Sequence, residues 1–339
     1  MHEEKRKTEE VYCIDAQKEL NMLISGGGDD AVTFYAFNGE EYVIDEVIEG
    51  FEDSVIMAKF ITESKAVAVS MDGTIAEIRI TRESGRFSKE VRTFEMQADV
   101  TRAVLSGEGK MIFLGTSEGL IEAVSVPENG TIERAGILYA GHSSGILEIV
   151  ETKSHIYTAS CEQILIFDRD GRVSAKYRPE KGREIRVMQV NTSGKSVAVG
   201  YGDGGVEILS FSSSQGSLVS VYENKSAGRE SVESMAFAEE TLLCGDFTST
   251  LSIIDTKYKR ERRRRVMEED SCIVRIIAVS AAVAVAVANT GKVSVVSLHA
   301  DNKILAEYSL HTITLDALLF NRHICAATVQ GVEFLPLSG

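Results

Sequence analysis

The stretch DSVIMAKF (residues 53–60), followed by AVAVS (66–70), the turn MDG (71–73), TIAEIRI (74–80) and a more polar segment at 91–96, reads as four short strands joined by tight turns. Apolar residues at alternate positions fit half-buried strands, and Asp or Gly in the turn accepts the positive φ that a short hairpin needs. The same order returns as SVESMAF (231–237), TLLCG (241–245) and TLSIID (250–255). Such units recur roughly every 40 residues, the period of propeller blades.

Carried along the whole chain, the comparison places innermost strands near Val11, Val55, Val100, Ile146, Ile185, Val232, Ile273 and Leu315. Turns after the second strand are GDD, MDG, SEG, CEQ, GDG, FTS, NTG and VQG. No stretch of about 12 residues has helical periodicity, which disfavours parallel βαβ folds. The predicted fold is all-β, an eight-bladed WD-repeat-like β-propeller over residues 11–339. Residues 1–10 form an N-terminal segment, expected to supply the outer strand missing from the last blade, because an open sheet edge is otherwise left unpaired.

Composition agrees. The 339 residues are 44% apolar and 26% charged, with 28 Gly, three Pro and no Trp. That balance supports a large core and excludes disorder of the whole chain. A formal net charge of −15 argues against nucleic acid as the main partner, since phosphate binding needs a basic surface. Cys13, Cys161, Cys244, Cys272 and Cys325 are isolated, with no CxxC pair for zinc or redox chemistry. The N-terminus MHEEKRKTEE lacks a signal-peptide core, and the apolar run at 276–288 is shorter than the ~20 residues a bilayer requires. The expectation is a monomer off the membrane, in the cytoplasm with the nucleus as a second compartment.

Phe167-Asp168 and Ile254-Asp255 stand where a Trp-Asp dipeptide ends the third strand of a WD repeat, and Gly141-His142 where a Gly-His precedes a blade. With SGGGDD (25–30), EDSV ahead of Phe60, VGYGDGGVEI (199–208) and SVESMAF, the chain resembles the angio-associated migratory cell protein family. The fungal member of that family is the dedicated chaperone of a large-subunit ribosomal protein, the eukaryotic L-ten or universal large-subunit protein sixteen. The resemblance implies an acidic propeller face that captures the client's basic N-terminal segment during synthesis. The absent tryptophans and the short N-terminal extension depart from the family pattern.

Charge placement points the same way independently. In a blade of this kind, the turn after the second strand and the loop into the next first strand share one rim. Asp29, Asp30, Glu52, Asp53, Asp72, Glu118, Asp203 and Asp246 fall there, with further acids such as Glu268, Glu269 and Asp270. The rim totals roughly −14 against about +3 opposite, enough to steer a basic partner. Aligning inner strands on their closing phenylalanines (Phe60, Phe237, Phe320) puts Glu233 and Asp316 at one position, aimed into the channel. Arg186 falls at the same position of another blade, which makes an internal Arg186–Glu233 pair the competing reading.

Other signals are weaker. GYGDGG (200–205) satisfies G-x-G-x-x-G but lies between strands, whereas a dinucleotide site needs a following helix. GEGK (107–110) lacks the following Ser or Thr, and the six histidines are scattered. No catalytic constellation, metal site or cofactor is expected. The basic run KYKRERRRR (257–265) is expected on a loop after the third strand of the sixth blade, where it is a solvated surface, an import signal or a ribosomal RNA contact. The reading is a non-enzymatic chaperone for a basic ribosomal-protein segment. The alternative is a generic WD-repeat scaffold or adaptor in a ubiquitin-ligase, translation or signalling complex.

Overall fold

The computed structural model describes residues 10–337 apart from 84–85, 97, 128–130, 226–229, 268–270 and 300–302. Among the described residues no helix occurs, and the strands follow in eight consecutive sets. The first sheet is β1 (Val11–Gln17), β2 (Met22–Gly27), β3 (Val32–Phe37) and β4 (Tyr42–Ile48); the second is β5 (Val55–Thr62), β6 (Lys65–Ser70), β7 (Thr74–Glu83) and β8 (Arg86–Glu95). The third is β9 (Val100–Leu105), β10 (Met111–Thr116), β11 (Ile121–Ser125) and β12 (Glu133–Tyr139); the fourth is β13 (Glu148–Glu151), β14 (His155–Ala159), β15 (Ile164–Asp168) and β16 (Val173–Tyr177). The fifth comprises β17 (Ile185–Val190), β18 (Ser196–Tyr201), β19 (Val206–Ser212) and β20 (Ser217–Asn224), and the sixth β21 (Val232–Ala238), β22 (Thr241–Asp246), β23 (Thr250–Asp255) and β24 (Arg260–Arg265). The seventh holds β25 (Ile273–Ala278), β26 (Val283–Ala288), β27 (Lys292–Ser297) and β28 (Ile304–Ser309), and the eighth β29 (Thr314–Phe320), β30 (His323–Thr328) and β31 (Gly331–Pro336). Strands consecutive in sequence are neighbours in every sheet. These are the eight blades of a β-propeller, as the repeat spacing predicts.

The eighth sheet has three described strands. The outer strand expected from residues 1–10 lies, apart from Glu10, outside the described residues.

The chain divides into two compact units, residues 1–100 with 310–339, and residues 101–309. In the first unit the core forms between successive sheets: Ile24, Phe34, Val55, Ala68 and Ile78 make one cluster, and Leu23, Tyr35, Tyr42, Phe320 and Cys325 another. Tyrosine and phenylalanine supply the large rings of this core, Tyr42 stacking on Phe334 with centroids 4.8 Å apart. A buried ion pair, Lys65–Glu77 at 3.0 Å, is also held there.

In the second unit the same inter-sheet cores recur, for example Leu243, Ile253, Ile273, Ala286 and Val296. Glycine near the end of a second strand makes this packing possible. A Cβ on Gly200 would come 2.7 Å from Val232 Cγ1, and one on Gly245 2.6 Å from Ile273 Cβ. Val232 and Ile273, the first residues of β21 and β25, thus seat against the backbone of the sheet before them.

A β-bulge recurs at the start of the inner strands. The register jumps between Val11 and Cys13, Val55 and Met57, and Thr314 and Asp316 in the first unit, and between Ile185 and Val187, Val232 and Ser234, and Ile273 and Arg275 in the second. This corrects the sequence alignment. Glu233 is the unpaired bulge residue, whereas Asp316 pairs with Ala327, one step beyond the bulge residue Leu315. The strand therefore starts at Thr314, and Glu233 and Asp316 are not equivalent. Closing phenylalanines misled because Phe320 pairs with His323 at the hairpin end, while Phe237 pairs with Leu242 one step earlier.

The basic run is also corrected. Residues 260–265 are not a loop but β24, the outermost strand of the sixth sheet, paired residue for residue with β23 from Arg260↔Asp255 to Arg265↔Thr250. Only residues 257–259 belong to the turn.

Candidate functional site

Each hairpin turn after a second strand hydrogen-bonds to the segments that lead into first strands, which defines an entry rim for each unit. In the first unit Met71 N donates to Ser54 O (2.9 Å), Val100 N to Met71 O (2.7 Å) and Gly28 N to Glu10 O (2.8 Å). In the second, Ile146 N donates to Thr116 O (3.1 Å), Ile185 N to Cys161 O (2.9 Å) and Ser249 N to Ser271 O (2.9 Å).

The described loops of the entry rim of the first unit are residues 28–31, 49–54, 71–73, 96, 98–99, 310–313 and 329–330. These described loops carry Asp29, Asp30, Glu49, Glu52, Asp53, Asp72 and Asp99, and no Lys or Arg; the segment into β1, apart from Glu10, lies outside the described residues. Glu52 and Asp53 are exposed, and Asp29 and Asp30 are half-buried. Asp30 sits at φ 53, a conformation that Asp tolerates better than most residues. Asp53 Oδ1 accepts from Ser54 N (2.7 Å). Asp72 serves its own turn: its carboxylate accepts from Ser70 Oγ, Thr74 N (2.9 Å) and Thr74 Oγ1 (2.9 Å). Partial burial opposes ionisation of Asp72, but these donors outweigh it and hold the carboxyl below the usual range. Asp316 lies half-buried on β29 of this unit.

The second unit is different in kind. Glu118 is exposed in its turn, yet bases interleave with the other acids. Arg183 pairs with Asp203 and with Glu223, both at 2.9 Å, and stacks 3.8 Å over the Tyr201 ring. Burial raises the carboxyl of Asp203, but the Gly205 N–H and the Arg183 guanidinium prevail and lower it. Asp246 is 4% exposed and accepts from Thr248 N (2.8 Å), Thr248 Oγ1 (3.0 Å) and Thr250 N (3.0 Å). It builds the turn rather than facing a partner. Glu268, Glu269 and Asp270 lie outside the described residues.

Glu233 accepts from Ser231 Oγ (2.6 Å) and faces Arg186 at 3.6 Å. The internal pair weighed from sequence is therefore formed. Sequence reasoning missed a second pair on these inner strands, Arg102 with Glu148 at 2.9 Å. Burial pushes the Glu148 carboxyl up, against the pull of Arg102 and of Arg275. Arginines two or three residues into β9, β17 and β25 were the available signal. They show that the inner wall of this unit is a mixed ionic surface, not an acidic one.

His142 retains part of the WD-repeat pattern. Its Nε2 lies 2.7 Å from Thr158 Oγ1, which itself donates to Leu165 O (3.3 Å). The turn that would offer an aspartate reads Cys161-Glu162-Gln163, and Gln163 Nε2 instead donates to Gly141 O (2.7 Å). His142 Nδ1 is left buried without a hydrogen bond, and burial lowers its pKa to about 4. Asp168 and Asp255, the acids of the degenerate Trp-Asp dipeptides, close turns by accepting from Arg172 N and Tyr258 N, each at 2.9 Å. Among the described residues no group of three or more His, Cys, Asp or Glu is placed to hold a metal ion.

No curated protein matches the sequence. Solved structures match over nearly the whole chain at low identity. Sqt1 of Saccharomyces cerevisiae is 15% identical, covering 98% of this chain and 97% of its own, with a TM-score of 0.84. Sqt1 of Chaetomium thermophilum, in a structure with the N-terminus of the ribosomal protein L10 bound, gives 15% identity, 98% of each chain and 0.84. The computationally designed protein Ika8 is similar at 13% identity, 97% of each chain and 0.77. At such identities the likeness speaks for the fold. A family model for the WD40-like domain matches residues 9–335, and the chain belongs to the WD40-like family.

Proposed function

We propose that the protein is a non-enzymatic chaperone that binds the basic N-terminal segment of a large-subunit ribosomal protein of the L-ten family. The observation that carries this reading is the entry rim of the first unit, whose loops at 28–31, 49–54, 71–73, 98–99, 310–313 and 329–330 hold seven carboxylates and no Lys or Arg. Exposed like charges held on turns create a field that steers a basic chain, and the bound Arg or Lys groups gain charge-assisted hydrogen bonds. Asp29, Asp30, Glu52 and Asp53 are the principal contacts. Asp72, Asp203 and Asp246 shape turns, while Asp316, on β29 of the same unit, acts as a secondary contact. The structure of Sqt1 with the L10 N-terminus supports the choice of client. Action in the cytoplasm follows, where ribosomal proteins are made. Neutralising the segment until assembly prevents it from binding RNA and other anions indiscriminately.

The test is titration of a labelled Arg/Lys-rich ribosomal-protein N-terminal peptide at low and high salt. Exposed charges are screened within ~10 Å at 0.1 M ionic strength, so affinity should fall steeply. Salt-independent binding, or none at low salt, overturns the reading in favour of a scaffold that uses other surfaces.

A further inference from the structure

The outer edge of the sixth sheet carries a second charged surface, of opposite sign. Residues 255–265 hold seven bases and two acids, in a chain of net charge −15. Pairing of β24 along its whole length with β23 fixes these residues in an extended strand. Its other edge carries no strand among the described residues. Side chains therefore alternate between the two faces at about 3.4 Å per residue.

Three of the arginines have structural tasks, Arg265 by donating from Nε to Met267 O (3.1 Å). Arg262 donates to His299 O (2.7 Å) and Leu298 O (3.0 Å), and Arg263 pairs with Glu261 at 2.8 Å. Others remain available. Arg260 is exposed, and Arg264, on the same face as Arg262, has a buried Nε with no hydrogen-bond partner. The adjoining turn presents Tyr258, 63% exposed, with Lys257 Nζ 5.2 Å from its ring centroid. The turn is held in shape by Tyr258 N donating to Asp255 Oδ1 (2.9 Å) and by Lys259 at φ 56.

We propose that this turn and strand bind single-stranded RNA, with Lys257, Lys259, Arg260 and Arg264 on the phosphates and Tyr258 stacking on a base. The exposed aromatic beside the cations decides the class of partner. Acidic side chains would satisfy the charge but present no π-face to the ring, whereas a nucleotide supplies both a phosphate and a base to stack on it. An import receptor that reads an extended peptide would have to strip β24 from β23 along its length. The site is separate from the peptide site proposed above and does not depend on it.

The experiment is fluorescence anisotropy of the full chain with a labelled oligouridylate of about 12 nucleotides. Four phosphate contacts predict a log–log salt slope near −2.8, so binding should weaken about 50-fold between about 50 and about 200 mM salt. The double variant Lys257→Gln, Arg260→Gln should reduce the slope by roughly 1.4. Tyr258→Ala should weaken binding at least about fivefold with the slope unchanged, and Tyr258→Phe should bind as wild type. Melting curves of each variant confirm folding, and titration of the basic peptide against Tyr258→Ala, expected to be unchanged, keeps the two sites distinct. No RNA binding at low salt, or a slope that the double variant leaves alone, overturns the proposal. An oligoglutamate that binds as tightly as RNA, and does so regardless of Tyr258, also overturns it and assigns the strand to an acidic protein.

Discussion

The two units use the same loops differently. On the entry rim of the first, acids stand without a single Lys or Arg among the described loop residues. On that of the second, Arg183 and Lys225 answer Asp203, Glu223 and Glu180 at 2.9–3.1 Å. Net charge alone cannot distinguish these cases. A set of carboxylates on loops that hold no Lys or Arg among the described residues keeps a field that attracts cations, whereas an interleaved set has spent more of its attraction within the protein and gains less from a basic ligand.

The largest expected effect comes from erasing the difference. The quadruple variant Asp29→Asn, Asp30→Asn, Glu52→Gln, Asp53→Asn removes four charges at roughly 0.5 to 1 kcal/mol each. Peptide affinity should fall about 30- to 1000-fold, with the melting temperature little changed, since Asn tolerates the backbone at position 30. Calorimetric titration and thermal melting check both halves of this expectation. A small loss of affinity would mean that the first unit's rim is only a solubilising surface.

Acids that build turns should fail in the opposite way. Asp246→Ala strands the N–H groups of Thr248 and Thr250, which should cost about 2 to 3 kcal/mol of stability. Chemical denaturation reports it. An unchanged midpoint would return Asp246 to the list of partner contacts.

Stability should also respond to acid through His142. Its pKa in the folded protein is about 4, against an ordinary 6.5. Between these values the unfolded chain binds a proton that the folded chain refuses. The stabilisation is therefore complete above pH 6.5 and is lost progressively as the pH falls toward 4. Urea unfolding at several pH values should show this slope in the wild type and a flatter one in His142→Gln. Equal slopes would show that the ring is protonated in place.

The smallest effects are expected in the second unit. Glu233→Gln and Glu118→Gln should each change peptide affinity less than about threefold, because Arg186 already answers Glu233 and an exposed single charge contributes little. A tenfold loss in Glu233→Gln would mean that the Arg186 pair opens to receive the ligand.

Eight blades were legible because each repeats the same apolar alternation and turn chemistry, visible in 53–80 and again in 231–255. The rim was legible for the same reason, since loop order alone assigns Asp29 or Glu118 to one edge of a sheet. What escaped was anything set by a single-residue shift or by distance in space. Both inner strands, β21 and β29, carry the bulge at their second residue, but their closing phenylalanines stand one step apart in the hairpins. That offset moved Asp316 off the position of Glu233, because strand orientation has a period of two and a slip of one reverses it. The run 257–265 looked like a loop because polar, charged residues are depleted in strands. An outermost strand, however, needs only backbone pairing on one side and tolerates arginines on both faces. The Arg183–Asp203 and Arg102–Glu148 pairs span 20 and 46 residues, and no local pattern announces them.

The central claim is that the basic segment sits on the entry rim of the first unit, and photo-crosslinking tests it most directly. A ribosomal-protein N-terminal peptide with a photoreactive group, bound at low salt and mapped by mass spectrometry, should attach to residues 28–31, 49–54 and 96–99, and high salt should abolish the products. Crosslinks concentrated at 178–184 and 202–205, where the bases interleave, would contradict the account.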